Sequence, residues 1–397
     1  MLDDTGSASP TKPHGGSLHR RVLATLVAAA LGLAGAELVT RAFARFGGEL
    51  GAELARFDPL RARFAPHGDF GYREWPNHPY PFGNGTVAYS NSMAYRGPEV
   101  AWEKPADAYR IVLLGESTTH GFGVEDDQTI DAFMRAELAA RHPGRRFEVV
   151  NLALGGYDAY QIFERMRTDG VRLRPDLVIV NSGINDVRNA QFPDLEIPGP
   201  DRRTLIWEDD LARLRADLKR GGPGAWTRIR HHLFLARLPG FARAQMQTKE
   251  AVARLRSVEP YPDAVEYFAY YVERTADLAD EIAADLVLST PASALAHYDP
   301  RSMSFRGYWI IDAETTEAYR RLLARRMREI AQARSRRGRR VPYLSHDLPP
   351  DHFLDDCHLT AEGNRAVARR FVEAAAPFIA ETLRERAAVA PPPAKRS

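Results

Sequence analysis

The sequence predicts an α/β protein built on a parallel sheet, on three observations. Short apolar runs such as residues 111–114 have the length and composition of buried strands. From Tyr109 onward these runs alternate with amphipathic helical stretches, the pattern of strand–helix–strand crossovers. A chain of 397 residues, 44% hydrophobic and 27% charged, can bury a large core of this kind.

Taken in order, residues 1–21 are polar and rich in Gly, Ser and Pro, and are expected to be a disordered cytoplasmic N-terminus. Residues 22–41 follow Arg20-Arg21 and are mostly apolar as far as Ala36. That run is shorter than the roughly 20 residues of a full bilayer span, although Leu38 and Val39 extend it past Glu37. Ala34-Gly35-Ala36 also fits a signal-peptidase site. A signal anchor is preferred over a cleaved signal peptide, and a buried core helix is disfavoured by the flanking charges. Either export reading leaves the positive flank inside and the rest of the chain outside the cytoplasm, periplasmic or extracellular.

Residues 42–108 combine Pro, Gly and aromatics with little periodicity, which predicts an irregular segment wrapped over the following domain. Residues 91–98 read as a turn leading into the first strand. The domain itself spans 109–386. Its expected strands are 110–114, 147–150, 176–180, 285–289 and 341–344, with helices near 127–141, 159–170, 263–284, 313–336 and 361–386. Two insertions, 192–262 and 292–311, follow carboxyl ends of strands, where lids and substrate walls are commonly built. The first holds helical stretches at 209–218 and 245–255. Residues 387–397, rich in Pro and Ala, are expected to be a disordered tail.

The formal net charge of +2 excludes a polyanion binder acting with its whole surface, and no nucleic-acid partner is expected. Arginines cluster at 320–340, where a solvated helix face is the ordinary explanation. Cys357 is the sole cysteine, so there is neither a disulfide framework nor a cysteine-based zinc site.

The chemistry gathers at predicted strand ends. Gly115-Glu116-Ser117-Thr118-Thr119 breaks the first apolar run where open α/β sheets build sites. A serine needs a neighbouring base before it becomes a nucleophile. His358 is the candidate base, with Asp355 three residues ahead to hold Nδ1–H; Asp356 is the alternative partner and His352 the alternative base. A metal site drawn from Asp351, His352, Asp355, Asp356 and His358 departs from the ligand sets expected for zinc. For a developing oxyanion the candidate donors are the Ser117 N–H, the Gly156 N–H and the Asn185 carboxamide. Alone, the glycine could merely start a helix and the asparagine merely cap one.

Together the four segments resemble the SGNH (GDSL-type) hydrolase superfamily. Gly115-Glu116-Ser117-Thr118-Thr119 stands for its first block and Gly156 for its second. Gly183-Ile184-Asn185-Asp186 matches the third block, and Asp355 with His358 the last. Glu116 departs from the usual aspartate. The resemblance covers about residues 109–379 without the insertions. It implies a three-layer α/β/α sandwich with a five-stranded parallel sheet in flavodoxin-like order. It further implies a Ser117–His358–Asp355 triad, an oxyanion hole from Ser117, Gly156 and Asn185, and no metal or organic cofactor. The activity implied is that of a serine ester hydrolase, an acyl or acetyl esterase. Its location suggests O-acylated cell-envelope carbohydrate or another small ester as substrate, with attachment to the membrane through the N-terminal helix. An O-acyltransferase using the same site, an inactive carbohydrate-binding module and a basic surface protein remain as alternatives.

Overall fold

The computed structural model describes residues 15–48, 50–51, 54, 64–67, 71–82, 84–189, 233–239, 241–242, 259–260, 262–294 and 312–389. The insertion helices expected at 209–218 and 245–255 lie outside these residues, as does most of 292–311.

Helix α1, Gly15–Phe46, begins seven residues earlier than the 22–41 stretch and reaches past its end. Once a helix is nucleated, each further residue adds a hydrogen bond for little extra ordering, so Leu18 to Arg21 join it. The part of the expected disordered N-terminus from Gly15 onward is therefore helical. Residues 19–46 of α1 are long and apolar enough to cross a membrane, and no residue of their most apolar window is buried. Near its carboxyl end, Glu37 accepts hydrogen bonds from the backbone N–H groups of Phe234 (2.9 Å) and Leu235 (2.7 Å). Arg41 lies over the Phe234 ring, and Ala44, Leu54, Phe234, Leu238 and Phe241 form a small apolar cluster. A described piece of the first insertion thus packs against α1.

Within 42–108 the expected irregular stretch carries two short antiparallel hairpins. β1 (Phe64–His67) pairs with β2 (Gly71–Glu74), and β3 (Pro79–Pro81) with β4 (Val87–Tyr89). Both are too brief and proline-rich to show a period-2 pattern. The turn at 91–98 is built by Asn91, whose Oδ1 accepts from Met93 N and Tyr95 N and whose Nδ2 donates to the Pro98 carbonyl.

The central sheet comprises β5 (Ala108–Gly115), β6 (Arg146–Asn151), β7 (Leu177–Asn181), β8 (Asp285–Thr290) and β9 (Tyr343–Ser345). All pairs are parallel and the order is β6-β5-β7-β8-β9, so the chain reverses direction of growth beside β5. Alternation along the strands feeds two cores. Ile111, Leu113, Val149, Ile179 and Val287 point to one face, where Met134 and Leu138 of α3 (Ile130–Arg141) and Phe371 and Val372 of α8 (Ala361–Val389) cover them. Val112, Leu114, Val178, Val180 and Leu288 point to the other. There they meet α4 (Ala159–Arg165), α6 (Pro262–Glu281) and α7 (Ala313–Arg336). The short helices α2 (Ser117–His120) and α5 (Ile184–Asn189) follow β5 and β7. This is the five-stranded three-layer sandwich that the alternation and the resemblance imply. Helix α8 runs three residues into the expected 387–397 tail.

The amino ends of the strands are closed by Asp176, just before β7. Its carboxylate accepts from Lys104 Nζ (2.8 Å), Arg110 N (2.7 Å) and Arg386 Nη2 (2.6 Å). The Arg110 side chain is fully buried, bonding Glu148 and the carbonyls of Ala101, Trp102 and Leu173. The wrapping segment is thereby stitched to the sheet at that end, leaving the carboxyl ends for the site.

Candidate active site

Ser117 opens α2 directly after β5. Gly115 is fixed by close packing, since a Cβ there would sit 2.4 Å from Thr119 Oγ1 and 2.7 Å from the Asn181 carbonyl. The turn after α2 is gripped by the buried Arg96, which donates to the carbonyls of His120, Gly121 and Val124 and pairs with Asp126. His120 pairs with Glu74 of β2 at 2.8 Å, both buried.

The loop before α8 brings His358 to Ser117: His358 Nε2 lies 2.8 Å from Ser117 Oγ. His358 Nδ1 lies 2.7 Å from Asp355 Oδ2, while Asp355 Oδ1 accepts from the backbone N–H groups of His358 (2.8 Å) and Cys357 (3.1 Å). Burial alone would raise the Asp355 carboxyl, but the facing His358 and these donors hold it well below the usual carboxylate range. Asp356 behaves oppositely: burial, then the neighbouring Asp355, pushes it up to about 7. Its Oδ1 is buried without a hydrogen-bond partner among the described residues. His352 lies in the turn Pro350–His352 and its carbonyl accepts from Thr360 N; the structure brings His358, not His352, to the serine. Asp355, Cys357 and His358 come close enough together to suggest a metal. The donor set is unsuited, because burial raises the Cys357 thiol well above its ordinary value and the Asp355 oxygens already serve three N–H groups.

Gly156 lies in the loop after β6 with φ 85°, a left-handed conformation that glycine adopts without a Cβ clash. Asn185 lies in α5 after β7, buried, with one N–H of its carboxamide donated to the Tyr157 carbonyl at 2.8 Å. The second N–H of that group is set by the first. Glu116 joins the blocks. Its fully buried carboxylate accepts from Gly183 N (2.7 Å), Ile184 N (3.1 Å), Asn185 N (3.2 Å) and Ser182 Oγ (3.3 Å), so it caps α5 from the end of the neighbouring strand. Burial raises it to about 7 in spite of these donors. Asp186 is raised well above its ordinary value, first by burial and then by Asp158 and Glu116.

Some neighbours were not legible as site residues. The Phe122 ring lies 4.5 Å from the His358 ring, and Phe82 of the wrapping segment lies 4.8 Å from Phe122. Asn84 donates to the Gly123 carbonyl at 2.6 Å. Their aromatic and turn-forming character was visible, but nothing in the sequence aligned residues 72–84 with the loop after Ser117.

Several solved structures resemble this one. A GDSL-like lipase from Bacteroides thetaiotaomicron is 18% identical, with 70% of this chain and 93% of that chain covered and a TM-score of 0.38. The lipase/acylhydrolase from Enterococcus faecalis is 16% identical, covering 67% and 94%, TM-score 0.37. A catalytic mutant of Axe2, an acetylxylan esterase from Geobacillus stearothermophilus, is 16% identical, covering 67% and 93%, TM-score 0.36. No curated protein sequence matches the chain. The sequence model of the GDSL-like lipase/acylhydrolase family matches residues 113–366, from within β5 to within α8. The chain therefore belongs to the GDSL-like lipase/acylhydrolase family and is a hydrolase of ester bonds.

Proposed function

We propose that the protein is a serine esterase in which Ser117 attacks the ester carbonyl. The observation that carries this reading is the unbroken line Ser117 Oγ–His358 Nε2 (2.8 Å) and His358 Nδ1–Asp355 Oδ2 (2.7 Å). In it, Nε2 takes the serine proton as the Oγ–carbonyl carbon bond forms, and Asp355 holds the proton on Nδ1 and stabilises the imidazolium. The N–H groups of Ser117 and Gly156 and the second N–H of the Asn185 carboxamide hold the oxyanion of the tetrahedral intermediate. His358 then gives its proton to the departing alcohol, and water, deprotonated by the same imidazole, releases the acid.

Helix α1 supports placement of the site beside a membrane, and Arg20-Arg21 before its apolar run favour the side outside the cytoplasm. The substrate proposed with it is an O-acylated envelope carbohydrate or another small ester. Ser117→Ala should abolish aryl acetate hydrolysis and labelling by a serine-reactive phosphonate while the circular dichroism spectrum is kept. Near wild-type turnover in the folded variant would remove Ser117 as nucleophile.

A further inference from the structure

The loop carrying Gly156 is held by a residue that lies outside the family match altogether. Tyr72, in β2 of the wrapping segment, is 2% exposed and donates its hydroxyl to the Gly155 carbonyl at 2.7 Å. Tyr157, fully buried, returns its own hydroxyl to the Tyr72 carbonyl at 2.7 Å, with the two rings 5.4 Å apart. The Tyr157 carbonyl in turn accepts from Asn185 Nδ2 at 2.8 Å.

The Gly155 carbonyl and the Gly156 N–H belong to one peptide unit. That unit is planar and trans, so its C=O and N–H point in opposite directions. Fixing the carbonyl fixes the N–H. The loop needs such a fixture, because glycines at 155 and 156 leave the peptide between them easy to rotate, and φ of 85° is freely accessible to Gly156. A hydrogen bond accepted by the carbonyl also polarises the unit and makes its N–H a stronger donor.

We propose that Tyr72 is a positioning residue for the oxyanion hole: its hydroxyl sets the direction of the Gly156 N–H by holding the Gly155 carbonyl. Through Tyr157 the same clamp reaches the second donor, the Asn185 carboxamide. The inference rests on the serine-esterase reading above. Burial pushes the Tyr157 phenol far above its ordinary value, so that member of the clamp stays a donor at every pH of interest.

The test is Tyr72→Phe in the full-length protein, which keeps the ring and deletes only the hydroxyl. Steady-state hydrolysis of an aryl acetate is compared with inhibition by a boronic acid that forms a tetrahedral adduct with the serine. The expected result is a fall in kcat of about 10–100-fold, smaller than for a donor removed outright. KM should stay within about twofold, and boronate affinity should weaken by the same factor as kcat/KM. Tyr157→Phe leaves the Gly155 bond in place and should show a smaller loss of the same kind. Unchanged kcat, a loss of kcat with boronate affinity intact, or a larger effect from Tyr157→Phe would overturn the proposal. So would collapse of the fold in Tyr72→Phe, which would make the hydroxyl structural. Failure of the underlying reading is separately visible, because Ser117→Ala would then retain turnover whatever Tyr72→Phe does.

Discussion

Asp355→Asn exchanges one carboxylate oxygen for an amide NH2, and the surrounding donors decide which one. Oδ1 serves two backbone N–H groups, those of His358 and Cys357, and Oδ2 serves His358 Nδ1. With the amide oxygen toward the backbone, both backbone bonds survive and the NH2 faces Nδ1. The reverse orientation would strand two buried N–H groups, at about 1–3 kcal/mol each. The backbone therefore selects the orientation that opposes Nδ1–H, and the imidazole carries its proton on Nε2 instead. Nε2–H then donates to Ser117 Oγ and cannot take its proton. A tautomer preference of about 2–6 kcal/mol spans roughly 30-fold to above 10⁴-fold, and loss of the corresponding aspartate in serine proteases costs about 10⁴-fold. We expect kcat for aryl acetate hydrolysis to fall by about 10³–10⁴-fold with an unchanged circular dichroism spectrum. A folded variant keeping more than about a tenth of wild-type kcat would refute the tautomer argument. Asp356→Asn replaces a carboxyl raised to about 7 by burial and by Asp355, and should leave kcat within about threefold. A greater loss there than at Asp355 would shift the orienting role by one residue.

Other outcomes follow from the same geometry. Asn185→Ala should lower kcat by about 10²–10³-fold with little change in KM; the converse pattern would make Asn185 a ground-state binding residue. Glu116 has its folded pKa raised from 4.5 to about 7, so its favourable contribution is complete below about 4.5 and lost as pH rises through 7. Urea denaturation should therefore show stability declining over that window, by at most about 3 kcal/mol from this group, and Glu116→Gln should make the decline shallower; an unaltered slope would contradict it. Asp356 and Asp186, raised as well, add to the decline in the same direction; Asp356 persists in the variant, while Asp186 loses the part of its shift that Glu116 supplies. Arg20-Arg21 before the apolar run of α1 predict that a phosphatase fused after Arg386 is active outside the cytoplasm, and the opposite reporter pattern would remove the envelope substrate.

The parts of the molecule legible in the sequence are those where local pattern and chemistry coincide. The run at 111–114 is apolar on both faces because two helical layers cover it, and that composition is visible without coordinates. The candidates Ser117, Gly156, Asn185, Asp355 and His358 stand out in the sequence because each follows a strand or precedes a helix in a recognisable block. In the sequence Glu116 stands out only as a departure from the family's usual residue. Its place as the cap of α5 depends on β5 and β7 lying side by side, a pairing that no local window contains. Tyr72, Phe82 and Arg96 are harder still, since the contacts that tie them to the loops after Ser117 and Gly156 span 24 to 85 positions and their own neighbourhood has no regular period. Hairpins as short as β1–β2 obey side-chain anchoring more than alternation.

Asp176 has a consequence for the order in which the chain can become stable. The three groups that donate to its carboxylate come from the segment before the sheet, from the backbone of the first sheet strand, and from Arg386 near the end of α8, 210 positions later. Arg386 also bonds the Ala108 carbonyl, spanning 278 positions. Such closures yield their stabilisation only after long loops have been drawn together, and folds rich in them form slowly. During synthesis the first strands emerge with this carboxylate still lacking its last cation, so the network at their amino ends is complete only once the carboxyl-terminal helix has been made. Final locking waits for the carboxyl-terminal helix, and amide exchange around Asp176 should become protected only when that helix docks.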